Sequence, residues 1–135
     1  MKTLTLNLAT QLVALVLRLA TEFKSCVRPA HPGLARAWVN FGIVGSNLRI
    51  SAAHNVASVT RLAVGRYRVS FAQEFADAHY VWLAFARNAG SASAMKFAAA
   101  RADAEKKTRS YVELIVTTPS GTLADSTEIN LVVYR

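Results

Sequence analysis

His31, His54 and His79 have the widest chemical repertoire in this 135-residue chain, and they stand far apart. A metal centre needs ligands at close, face-sharing spacings such as HxH or HExxH, and no such spacing occurs. Cys26 is the only cysteine, so neither an internal disulfide nor a cysteine-based zinc site can form. At the end of an apolar helix, Cys26 reads as an inert buried thiol rather than a nucleophile. The eight carboxylates are sparse. Glu74 and Asp77 share a turn, and Asp103 and Glu105 adjoin Lys106 and Lys107, which is the pattern of solvated charge rather than of a paired acid and base. Neither a glycine-rich phosphate loop nor a GxSxG elbow is present. No catalytic residue, metal or cofactor is expected, and an enzyme is the weakest class. A glycan-cleaving activity in particular lacks a carboxylate pair that can be placed in a cleft.

The basic residues offer a different chemistry. Lys and Arg number 16 against 8 Asp and Glu, for a formal charge of +8. All of that excess lies in residues 1–73, which carry nine bases and one acid, whereas residues 74–135 carry seven of each. Arg49, Arg61, Arg66 and Arg68 could share a sheet face, with Trp38, Tyr67 and Tyr80 stacking on bases. The competing reading makes the arginines a solvated outer face and the aromatics core. It is favoured, because Tyr67 falls on the apolar phase of its segment and Arg66 and Arg68 on the other. A nucleic-acid-binding module remains an alternative function.

These residues must be held by two kinds of element. Leu6, Ala9, Val13, Val16, Ala20, Phe23 and Val27 recur at 3,4 spacing beside a second stripe of Leu8, Leu12, Leu15 and Leu19, which predicts a helix with a wide apolar face. Thr3 to Leu8 alternates and reads as a short strand or as the helix entry. The narrow polar stripe predicts a mostly buried helix, packed on its own domain, bundled with other copies of the chain or inserted into a larger assembly. Met1-Lys2 followed by apolar residues imitates a secretory signal, but Asn7, Thr10, Gln11 and Arg18 interrupt it, and no stretch has the length and apolarity of a membrane span. Pro29 and Pro32-Gly33 stop the helix, so residues 1–33 form an oligomerisation or anchoring segment and residues 34–135 a second domain.

That domain is predicted to be built of short strands. Alternation runs through Ala37–Phe41, Leu48–Ile50, Val56–Val59, Arg66–Phe71, Tyr80–Phe85, a segment ending near Ala100, Tyr111–Val116 and Ile129–Tyr134, separated by turn residues at Gly42, Gly45-Ser46, Gly65, Asp77–His79 and Pro119–Gly121. After Ala100 a polar loop or a single helical turn is expected. The expected fold is mainly β: a small antiparallel β-sandwich or barrel-like domain preceded by an N-terminal apolar α-helix. Its predicted core comprises Trp38, Phe41, Val59, Tyr67, Val69, Phe71, Tyr80 and Leu114.

Four segments occur in a fixed order: Arg36-Ala37-Trp38-Val39-Asn40-Phe41, Asn55-Val56-Ala57-Ser58-Val59-Thr60, Gly65-Arg66-Tyr67-Arg68-Val69-Ser70-Phe71 and Ala76-Asp77-Ala78-His79-Tyr80. With the ending Ser120 to Ser126, they resemble the C-terminal domain of bacteriophage tail-fibre and related virion appendage proteins over residues 35–135. The usual form there is RAWVNF, a Gly-rich turn, SxNVSSVT, GxGxYTVxF and PDANY. Departures lie at Gly42–Gly45, Leu62–Val64 and Phe75-Ala76. The resemblance implies a small, usually trimeric β domain carried on a virion and often engaged in host-surface recognition.

Taken together, these readings give a bacteriophage virion structural protein as the expected function: a short homotrimeric tail fibre or spike that contacts the host surface. The alternative in the same class is a capsid decoration or head-fibre protein, docking its basic half on an acidic shell. Leu8, Leu12, Leu15, Val16, Leu19 and Phe23 are the expected oligomerisation residues. Expected partners are further copies of the chain, other virion proteins and a host-surface glycan or protein, with nucleic acid disfavoured. The expected location is the virion after synthesis in the host cytoplasm. No receptor-binding residue can be named, because such specificity lies on loops and grooves between subunits.

Overall fold

The computed structural model describes residues 2–26, 31, 33–88, 95–100 and 107–135. The chain divides into two compact units, Met1–Leu34 and Ala35–Arg135.

The first unit is built on one helix, α1 (Lys2–Cys26), 25 residues long and thus about 37 Å from end to end. The alternation at its start is therefore helix entry, not strand. Thr21 and Ser25 return their hydroxyls to the carbonyl oxygens of Leu17 (2.8 Å) and Glu22 (2.7 Å), so these polar residues are accommodated without breaking the helix. None of the helices described here is long and apolar enough to cross a membrane.

The second unit consists of two four-stranded sheets, so it is a sandwich rather than a barrel. The first sheet has the order β2-β1-β8-β5 and the second β3-β4-β7-β6. Its strands are β1 (Ala35–Val44), β2 (Asn47–His54), β3 (Val56–Ala63), β4 (Arg66–Phe71), β5 (Val81–Arg87), β6 (Phe97–Ala100), β7 (Tyr111–Thr117) and β8 (Glu128–Tyr134), and every pairing is antiparallel. Gly42 lies within β1 rather than in a turn. Residues 101–106, where a loop or helical turn is expected, lie outside the described residues.

Inner-facing residues of the four central strands make the core. They are Ala37, Val39 and Phe41 of β1, Tyr67, Val69 and Phe71 of β4, Val112, Leu114 and Val116 of β7, and Ile129, Leu131 and Val133 of β8. The loop after β4 adds Phe75 and Tyr80. Phe75 and Tyr80 each set a ring edge-on to Phe71, at centroid distances of 4.7 and 5.6 Å. Tyr80 can be buried because its hydroxyl lies 3.0 Å from the carbonyl oxygens of both Thr108 and Tyr111.

Of the eight predicted core residues, Phe41, Tyr67, Val69, Phe71, Tyr80 and Leu114 are buried, and Val59 is half-buried against the core. Trp38 is a correction. It is 38% exposed and points out of the sandwich, because Ala37, Val39 and Phe41 occupy the inward phase of β1 and a strand cannot present consecutive residues to one face.

Between β2 and β3 the chain passes from one sheet to the other in a single residue. Asn55 adopts φ 51°, a left-handed conformation that asparagine tolerates better than most residues. Its side chain staples the corner: Nδ2 donates to the Arg36 carbonyl (3.1 Å) and Oδ1 accepts from the Gln73 backbone N–H (2.8 Å).

Candidate functional site

Along α1, every described side chain from Asn7 to Ser25 is exposed. At 3.6 residues per turn, Leu8, Leu12, Leu15, Val16, Leu19 and Phe23 fall within an arc of roughly 100°, and each is between 54% and 70% exposed. Val13 and Leu17, also exposed, extend the apolar arc to roughly 200°. Leu17 lies outside the two expected stripes, but its position between Val16 and Arg18 on the helical projection places it at the edge of the apolar arc. Asn7, Gln11, Arg18, Thr21 and Ser25 fill the remaining stripe.

The two outer faces of the sandwich differ in chemistry. On the β3-β4-β7-β6 sheet, Arg66, Arg68 and Ser70 face outward with Glu113 and Tyr111 beside them. Arg68 donates to Glu113 Oε1 from Nε (2.9 Å) and from a terminal nitrogen (2.6 Å), and its guanidinium lies 4.4 Å from the Tyr111 ring centroid. Through this cover the Glu113 side chain is only 1% exposed.

The outer face of the β2-β1-β8-β5 sheet is apolar through its middle. Cross-strand registers align Leu83 with Val132, Val132 with Trp38 and Trp38 with His54, so one row spans all four strands. Trp38 and His54 stack with centroids 6.4 Å apart and planes at 22°. Val81 and Phe85 lie on the same phase of β5 as Leu83, and the three are 51–68% exposed. The flank of this row is polar. Asn40 Nδ2 donates to Asn130 Oδ1 (2.6 Å), Asn130 Nδ2 to Glu128 Oε1 (3.2 Å) and Arg87 Nε to Glu128 Oε2 (2.7 Å). The Arg87 and Asn130 hydrogen bonds hold the Glu128 carboxyl below the usual carboxylate range. Sequence reading missed Val81, Leu83 and Phe85 as surface residues. Tyr80 to Phe85 is apolar in both phases, and nothing in the run says which phase turns outward.

Asp125 organises the end of the sandwich where the β3–β4 hairpin meets the β7–β8 connection. Arg61 grips it in a fork, with a closest approach of 2.6 Å from a terminal nitrogen to Oδ2. The Gly65 N–H and the Tyr67 hydroxyl donate to Oδ1 at 2.9 and 2.6 Å. Led by the Arg61 hydrogen bond and aided by the other two donors, this shell holds the Asp125 carboxyl down at about 2, while burial pushes the Tyr67 phenol up. The arrangement is saturated and structural.

The proposed basic cluster does not assemble. Arg49 is on β2 of one sheet, and Arg66 and Arg68 lie on the outer face of the other. Arg61 sits on β3 and turns to Asp125. Tyr67 and Tyr80 are buried, so they offer no ring to stack on a base. Glu74 and Asp77 carry more structure than solvated charges: Glu74 accepts from Ser110 Oγ (2.6 Å) and pairs with Arg109 (3.4 Å), and Asp77 accepts from the His79 N–H (2.8 Å) and pairs with Arg135. His31 accepts from the Gly33 N–H at Nδ1 (3.0 Å), and His79 is exposed. Among the described residues, no three His, Cys, Asp or Glu side chains come together as metal ligands. The Cys26 side chain, Asp103, Glu105 and Lys106 lie outside the described residues. Each unit carries its own apolar surface, α1 in the first and the outer face of the β2-β1-β8-β5 sheet in the second. No family model matches this chain, and neither the curated proteins nor the solved structures give a match.

Proposed function

We propose that the chain is a bacteriophage virion structural protein: a short homotrimeric tail fibre or spike in which α1 assembles the copies and the β-sandwich is presented to the host surface. The observation that carries this reading is the apolar arc of α1, where Leu8, Leu12, Leu15, Val16, Leu19 and Phe23 are exposed together on one face. Burying such side chains is worth about 1.5–3 kcal/mol each, so a lone helix with this surface is driven to associate. The width of the arc favours three helices over two, because a two-stranded seam covers a narrower stripe and each helix of a trimer faces two neighbours. The phage assignment rests on the tail-fibre-like segments, of which the first three lie on β1, around β3 and on β4 and the fourth, Ala76 to Tyr80, in the loop before β5.

Light scattering on the full chain tests the assembly. A mass near three times 14.6 kDa is expected, falling to one copy for the Leu12→Lys/Leu19→Lys variant, and a monomeric unmodified chain overturns the reading. The concentration of positive charge in residues 1–73 favours a capsid decoration or head-fibre role as the second reading. Immunogold labelling of virions separates the two: tail labelling supports the fibre, shell labelling the decoration protein, and unlabelled virions reject both.

A further inference from the structure

We infer that the outer face of the β2-β1-β8-β5 sheet is the surface through which the sandwiches of neighbouring copies meet. The inference rests on the reading of α1 as the assembling element, and it adds a second, weaker contact made by the sandwiches themselves.

Chemistry selects the face. A solvated sheet face ordinarily carries polar residues, as β4 does on the opposite sheet with Arg66, Arg68 and Ser70, where Phe97 of β6 is a single exposed aromatic rather than part of a cross-strand row. The other sheet instead sets Leu83, Val132, Trp38 and His54 in one row across four strands, with Val81 and Phe85 beside it. The exposed part of these side chains amounts to roughly 400 Å² of apolar surface, in the range of the largest patch on a typical monomer, which is often functional. Charge selects a neutral, apolar occupant. The row itself has no acid or lysine, and Arg87 and Glu128 at its flank neutralise each other.

Tethering selects a second copy. Cys26 and Ala35 are nine residues apart, and no conformation of a polypeptide stretches that interval beyond about 30 Å. Copies joined through α1 therefore keep their sandwiches at a local concentration in the millimolar range. A patch of this size is about half of the roughly 800 Å² per partner in a stable interface between free proteins. It is too small to hold free sandwiches together and sufficient for tethered ones. The face is thus expected to close only when α1 assembles.

Hydroxyl-radical footprinting of the unmodified full chain, read by mass spectrometry at Trp38 and Phe85, tests this alongside light scattering. Phe97, outward on the opposite sheet, is the internal reference. In the assembled chain, labelling of Trp38 and Phe85 relative to Phe97 is expected to be at least threefold slower than in the monomeric Leu12→Lys/Leu19→Lys variant. Leu83→Lys/Phe85→Lys, whose side chains are exposed and outward, is expected to keep the trimeric mass and restore labelling of Trp38. A trimer in which Trp38 and Phe85 label as fast as in the helix variant overturns this face and leaves the role of α1 standing. A monomeric unmodified chain overturns both.

Discussion

Tyr67 Oη donates to Asp125 Oδ1 at 2.6 Å across 58 positions of sequence, tying the inner face of β4 to the segment that leads into β8. The same oxygen accepts the Gly65 N–H, and Arg61 closes the other side of the carboxylate. Asp125 is thereby the polar anchor of an otherwise apolar sandwich. Its ordinary value near 3.8 falls to about 2 in the folded chain, so its contribution to stability is full above about pH 4 and fades as pH drops toward 2. Asp125→Asn is expected to destabilise the sandwich by about 1–2 kcal/mol at pH 7, with a flatter acid limb than the parent. Urea titrations at pH 7 and at pH 2.5 check this: the difference must shrink at the lower pH.

Gly65 and Gly45 separate two costs that glycine turns usually mix. Both have positive φ, 63° and 64°. A Cβ on Gly65 would come within 2.6 Å of the Val116 carbonyl oxygen and 2.7 Å of the Ala124 nitrogen, whereas one on Gly45 would meet open space. Gly45→Ala is expected to cost about 1 kcal/mol from backbone strain alone. Gly65→Ala is expected to cost about 3 kcal/mol, because overpacking against rigid backbone adds to the strain. Equal denaturation midpoints for the two variants would contradict the close approach.

Trp38 and Phe41 stand three positions apart on β1 and face opposite ways. Phe41→Ala opens a cavity beside the edge-on Tyr67 ring and is expected to cost about 3–5 kcal/mol. Trp38→Ala removes an outward side chain and is expected to cost about 1 kcal/mol in a monomeric sandwich. Thermal unfolding of the two variants in the Leu12→Lys/Leu19→Lys background gives the comparison.

Positive charge makes nucleic-acid binding a natural question, and the arrangement of that charge predicts a negative answer. Arg61, Arg68, Arg87, Arg109 and Arg135 each face a carboxylate, and the remaining described bases are scattered over α1, both sheets and the segments flanking β6 and β7. Gel-shift titration with duplex and single-stranded DNA at 50 mM salt is expected to show no specific complex. A sequence-preferring complex that weakens log-linearly with salt would reinstate the nucleic-acid reading.

Much of the architecture was legible because its signals are local. Arg66 to Phe71 alternates cleanly, and the structure places Tyr67, Val69 and Phe71 inside as that alternation requires. The 3,4 spacing from Leu8 to Phe23 identified the apolar face of α1 residue by residue. Phases were lost where both were apolar. At the start of β1 the smaller Ala37 holds the inward phase and Trp38 the outward one, and the run Tyr80 to Phe85 conceals an outward row at Val81, Leu83 and Phe85. Asp125 gave no signal at all, since its three donors lie at positions 61, 65 and 67.

The helix, its apolar arc, the strand-rich second unit and most of its core follow from residue order, because helical and strand periods are set by neighbours a few residues apart. Folding in three dimensions sets which side of β1 and β5 faces outward, aligns Leu83, Val132, Trp38 and His54 in one row, and brings Asp125 to the end of the sandwich. Each of these depends on cross-strand register between segments distant in the chain, and register is a property of the assembled sheets rather than of any segment alone.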